Sequence, residues 1–229
     1  MKKFGYALFC LLFSCIFCWS CIPPHSYAFT YVNSPHQRTE SPTQIKMVYI
    51  DQAFGESDRV AIADALTQWE YALNGYMTFK TQYYDVEHGA VDTLRDVVDG
   101  RAWMFLKINS TNPLVDFHDM PKVHALAFCE RVGGSLIYMV RDRVPNDNVK
   151  GVMMHEIGHL LGAQHWDEDD DLMNPIYREA NSQCIDKHTL QQVSEHLHIP
   201  VQNMNYCVYT YEKQKPDEEI TTVRVYYDN

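Results

Sequence analysis

"HEIGHLLGAQH", residues 155–165, carries His155, His159 and His165, with Glu156 beside the first histidine and Gly162 midway between the other two. On a helix, residues four apart share a face, so the imidazoles of His155 and His159 can converge on one ion. Glu156 points partly toward the same cavity without reaching the ion as readily, which is where a base must sit to take a proton from the attacking water. Gly162 gives the backbone freedom to turn sharply, so that His165 can swing back as a third ligand. Three imidazoles with an open fourth position suit one catalytic zinc. A structural zinc would need a fourth protein ligand and would have no use for Glu156. The alternative is a set of satisfied surface histidines. Against it, Val152, Met153, Ile157, Leu160 and Leu161 make the helix too apolar to hold unpartnered imidazoles.

Working outward, residues 148–164 read as an apolar helix that crosses a core, with Gly162 able to end it. Upstream, "IKMVYI" (45–50), "YMTFKTQYY" (76–84), "RAWMFLKI" (101–108), "KVHALAF" (122–128) and "GSLIYMV" (134–140) read as strands. Between the first two, residues 57–73 read as a helix, with Ser57 as N-cap and Val60, Ala61, Leu66, Trp69 and Leu73 on its apolar face. Downstream, "DKHTLQQVSEHL" (186–197) is an amphipathic helix. "NYCVYTY" (205–211) and "ITTVRVYY" (220–227) read as the arms of a terminal hairpin. This order predicts an α/β (α+β) domain over 45–199, preceded by a linker over 29–44 and followed by an extension over 200–229.

The N-terminus has the layout of an export leader: Lys2 and Lys3, then a long apolar run, then Pro23 and Pro24. "SYA" at 26–28 offers cleavage before Phe29, whereas "LFSC" at 12–15 resembles a lipobox ending at Cys15; a retained anchor is the third reading. All three predict a secreted or envelope-associated protein, which touches a membrane only through a lipid or an uncleaved leader. Thirty acidic against 19 basic residues give a net charge of −11, which argues against a nucleic-acid partner. Four of the seven cysteines lie in the leader, leaving Cys129, Cys184 and Cys207. In an oxidising compartment one pair is expected, and Cys184 with Cys207 would pin the C-terminal segment to the body, with Cys129 a buried thiol.

"HEIGHLLGAQH" followed by "DLMNPIY" (171–177) resembles the metzincin zinc endopeptidases, and within them the matrixin (matrix-metalloproteinase-like) family. The resemblance covers residues 45–199. It implies a metzincin-type domain: a twisted mixed sheet with an active-site helix, a second long helix and a C-terminal helix. It further implies that Met173 is the methionine of the Met-turn beneath the ligands, and that Pro175, Ile176 and Tyr177 wall the pocket for the residue after the scissile bond. His124 and Ala125, on the edge strand above the cleft, are implied to bind substrate through their backbones. Trp166 stands where typical matrixins carry serine. Ile137 replaces a histidine of the second, structural zinc of animal matrixins, so that site is not expected. No cysteine-switch motif precedes the domain, so restraint by an inhibitor, or synthesis in active form, is expected.

The reading is an exported zinc endopeptidase acting on protein or peptide substrates. The same ligands would serve a zinc amidase or peptidase for cell-wall or short peptides, or a non-proteolytic zinc-containing binding protein. The acidic run Asp167–Asp171 admits a preference for basic substrate residues, a calcium site, or a solvated loop. His88, His118, His188, His196 and His198 show no convergent spacing and stay unassigned.

Overall fold

Hydrophobic alternation with period two builds the sheet on which the rest is mounted. The computed structural model describes residues 29–36, 44–86, 88–89, 91–117, 126–129, 133–168, 171–177, 183–209 and 223–224. In chain order its elements are β1 (Phe29–Val32), β2 (Gln44–Asp51), α1 (Glu56–Ala72), β3 (Met77–Tyr84), α2 (Val91–Val98), β4 (Ala102–Ile108) and α3 (Pro113–Phe117). There follow β5 (Leu126–Cys129), β6 (Leu136–Val140), α4 (Val149–Leu160), β7 (Ile176–Tyr177), α5 (Lys187–Leu197), β8 (Tyr206–Tyr209) and β9 (Val223–Arg224). Five strands form a mixed sheet in the order β3-β2-β4-β6-β5. The first three pairings are parallel, and β5 closes the edge antiparallel to β6.

Val48, Ile50, Trp103, Phe105, Ile137 and Met139 project from one face of this sheet into the main core, where α1 and α4 cover them. Met47, Tyr49, Met104, Leu106 and Leu136 project from the other face, where Tyr84 and Val97 join them. Helix α4 is buried on almost every side, which explains why its sequence is apolar all round rather than striped. Trp69 ties the two long helices together: its side chain is fully buried, and its indole N–H donates to the Met154 carbonyl at 2.9 Å.

Two local expectations are corrected. The cap of helix α1 lies two residues earlier than expected, at Gly55 rather than Ser57. Val60, at 57% exposure, lies off the buried stripe of Ile62, Leu66, Trp69 and Leu73. Second, the described parts of the expected hairpin arms, 206–209 and 223–224, do not pair with each other. β8 pairs antiparallel with β1, so the expected linker begins as a strand, and β9 pairs antiparallel with β7. The reason lies at Cys207. It is disulfide-bonded to Cys184, with their Cα atoms 6.0 Å apart, and its N–H donates to the Ile185 carbonyl at 3.1 Å. β8 is thereby fixed beside the start of α5, and its free edge is taken by Phe29–Val32. Asn205 locks the same region to the end of α1: its N–H donates to the Ala72 carbonyl, and its side-chain oxygen accepts from Ser34. Among the described residues no helix is long and apolar enough to cross a membrane; the leader lies outside them.

Candidate active site

The end of α4 is built by a glycine. Gly162 adopts φ +98°, its N–H donates to the His159 carbonyl at 3.0 Å, and the Ala163 N–H reaches back to the Gly158 carbonyl at 2.9 Å. This is the paired-bond helix ending that a left-handed residue permits. Gly162 is also required by space, since an added Cβ would overlap the His196 imidazole from α5. The turn aims the Ala163 carbonyl back at the helix, where it accepts from His159 Nδ1 at 2.8 Å. It also carries the chain toward His165.

The three imidazoles meet. His155 Nε2 lies 3.0 Å from His159 Nε2 and 3.3 Å from His165 Nε2. His155 Nδ1 faces the Leu172 carbonyl at 2.7 Å. A carbonyl only accepts, so in both His155 and His159 the proton sits on Nδ1 and the lone pair on Nε2. The Nε2 lone pairs of His155 and His159 therefore face each other at 3.0 Å, an arrangement that suits a cation between them. The separations are near the roughly 3.3 Å edge of a tetrahedron with Zn–N bonds of about 2.0–2.1 Å. Burial, partly offset at His155 by its bond to the Leu172 carbonyl and reinforced at His165 by the His155 ring, lowers the two pKa values to about 4 and about 3. His159 is also pushed well below the ordinary 6.5, first by burial and then by the other two rings. All three are therefore neutral ligands at physiological pH. Glu156, beside the first ligand, is fully buried.

Beneath them the Met173 side chain is fully buried. A Cβ on Gly158 would stand 2.6 Å from its sulfur and 3.3 Å from the Trp69 ring, so Gly158 is what lets the methionine approach the helix. The loop between the third ligand and this methionine is tied to itself, with Trp166 N–H donating to the Met173 carbonyl and Asn174 Nδ2 to the Glu168 carbonyl. Asn174 Oδ1 accepts from Ile176 N–H at 2.7 Å, which sets the course of Pro175 and Ile176, both half-buried. Tyr177 lies in β7, and its side chain falls outside the described residues, as do His124 and Ala125. β5, which follows His124 and Ala125 in the chain, is an edge strand of the sheet.

A second convergence was not legible in the sequence. Asp171, Asp186 and His188 also bring ligand atoms within 4.8 Å of one another. Here, however, His188 Nδ1 lies 2.6 Å from Asp171 Oδ2, the length of a charge-assisted hydrogen bond rather than a gap between two metal ligands. The carboxylates already receive protein donors. Asp171 Oδ1 accepts from Met173 N–H at 2.8 Å, Asp186 Oδ2 from Leu172 N–H at 2.8 Å, and Asp186 Oδ1 from Thr189 N–H at 2.8 Å. The Thr189 hydroxyl lies 3.0 Å from Asp171 and 2.8 Å from Asp186 but has one proton to give. Burial, followed by the charge of Asp171, raises the Asp186 pKa. The acidic run is thus divided: Asp167 and Glu168 are exposed, whereas Asp171 faces inward. Neither Asp167 nor Glu168 joins a convergent ligand set among the described residues, so calcium gains no support there.

A mixed sheet crossed by a buried helix, with three neutral imidazoles converging at the helix end, defines a zinc metalloendopeptidase. Residues 46–195 match the family model described as Matrixin, and the chain belongs to that family. No curated protein matches the chain at a significant level.

Proposed function

We propose that this chain is an exported endopeptidase that cleaves internal bonds of extended protein segments, with Glu156 as the general base. The observation that carries the reading is the convergence of three neutral imidazoles with a fully buried carboxylate one residue from the first of them. Zinc held by His155, His159 and His165 supplies Lewis acidity to the attacking water and to the scissile carbonyl. Glu156 takes the proton from that water and passes it to the leaving amine. The β5 edge of the sheet, with His124 and Ala125 just before it in the chain, offers backbone groups to an extended substrate, and Pro175, Ile176 and Tyr177 bound the pocket that selects a side chain.

The test is cleavage of a broad peptide library by residues 29–229 and by the Glu156→Gln variant, with zinc content measured in both. Glu156→Gln is expected to keep one zinc and lose on the order of 10²–10⁴-fold in kcat/KM. Undiminished cleavage by that variant would remove Glu156 from the mechanism.

A further inference from the structure

Each of the two zinc ligands on α4 is oriented by a backbone carbonyl, and each carbonyl belongs to a peptide group whose other end is held from α5. His155 Nδ1 donates to the Leu172 carbonyl, and the N–H of that same peptide group, on Met173, donates to Asp171 Oδ1 at 2.8 Å. Asp171 Oδ2 in turn accepts from His188 on α5 at 2.6 Å. His159 Nδ1 donates to the Ala163 carbonyl, and the N–H of that peptide group, on Gln164, donates to Gln192 Oε1 at 2.7 Å. A peptide group is planar and trans, so fixing the direction of its N–H fixes the direction of its C=O. An acceptor on the N–H also polarises the carbonyl and strengthens its grip on the next donor.

His188 and Gln192 lie one turn apart on α5 and so share a face, and His196, one turn further, covers Gly162. We propose that His188, acting through Asp171, and Gln192, acting directly, are positioning residues for the zinc site, each orienting one α4 histidine through a single peptide group. Outer contacts of this kind usually bind the ligand itself; here a peptide is interposed.

The proposal rests on the three-histidine zinc site and not on the role given to Glu156. Zinc affinity is therefore measured by chelator competition in a Glu156→Gln background, where a wrong base assignment cannot disturb it. The cobalt-substituted protein gives a spectroscopic reading of ligand geometry. His188→Ala and Gln192→Ala are each expected to weaken zinc about 10–100-fold and to shift the cobalt bands. His188→Asn, whose side-chain N–H sits near the position of Nδ1, and Gln192→Glu, which keeps the acceptor, are expected to restore both. In the otherwise native enzyme at saturating zinc, the alanine variants should lower kcat with KM little changed. His188 is part-exposed, so its replacement should leave the fold intact. Should Gln192→Ala unfold, the Gln192→Glu and Gln192→Leu pair carries the same comparison. Wild-type zinc affinity and cobalt spectrum in both alanine variants would overturn the proposal. So would a second bound zinc that only the His188 and Asp171 substitutions remove, since the cluster would then be a metal site in its own right.

Discussion

Two clusters of histidine and buried side chains sit at opposite ends of one peptide group, the one joining Leu172 to Met173. At its carbonyl end are His155, His159 and His165; at its amide end are Asp171, Asp186, His188 and Thr189. Both gather ligand-type atoms within the same small radius, yet their proton inventories differ. The first has two Nδ1 protons spent on carbonyls, which leaves two Nε2 lone pairs facing one another at 3.0 Å. The second has a protein donor for every carboxylate oxygen and a contact of 2.6 Å that only a shared proton explains. What separates a metal centre from a hydrogen-bonded clamp is therefore not the kind of residue but whether the protons run out.

The harshest way to test this contrast is to remove one imidazole from the carbonyl-end cluster. His159→Ala takes away a lone pair that nothing else supplies, and no detectable cleavage or stoichiometric zinc should remain. If the three-histidine cluster kept zinc without His159, the assignment of the lone pairs would be wrong.

A smaller effect is expected one layer below. Gly158→Ala would place a methyl 2.6 Å from the Met173 sulfur and 3.3 Å from Trp69, between two fully buried side chains. Overpacking of this sort costs about 1–3 kcal/mol. The loss should appear as a lower Tm in both the zinc-free and zinc-loaded protein, because the clash does not depend on the ion. A variant as stable as the parent would mean that Met173 has room to move and does not brace the helix.

The two clusters also differ in how far the sequence betrayed them. The ligand set was legible because His155 and His159 lie on one helix, His165 follows the glycine that ends it, and local geometry dictates the rest. The sheet was legible for the same kind of reason: alternating residues such as Val48 and Ile50, or Ile137 and Met139, announce a period of two. The clamp was not, because Asp171 stood inside a run of acidic residues and its inward turn depends on Met173 and His188, which only the fold brings to it. The spacing of His188, Gln192 and His196 was a usable signal, since positions four apart on an amphipathic helix share a face. The terminal hairpin failed on similar grounds. Strand propensity located 206–209, but the partner was decided by the Cys184–Cys207 disulfide and by Asn205, both long-range.

The mildest perturbation is a change of pH, which acts on the carbonyl-end cluster through protons alone. Burial lowers the folded-state pKa of His155 to about 4 and that of His165 to about 3, with His159 also well below 6.5. In the unfolded chain these groups titrate near 6.5. Between the two values the unfolded state binds more protons than the folded one, so stability is fully present above about pH 6.5 and falls as the pH is lowered toward 4. Zinc-free protein should therefore show a Tm that declines steadily over this window. Zinc affinity, which compares two folded states, should change little from pH 7.5 down to about 5, because the folded ligands are still neutral there. A three-proton loss of affinity starting at pH 6.5 would instead mean that the zinc-free imidazoles are hydrated and separate, and that the ion, rather than the carbonyls of Leu172 and Ala163, draws them together.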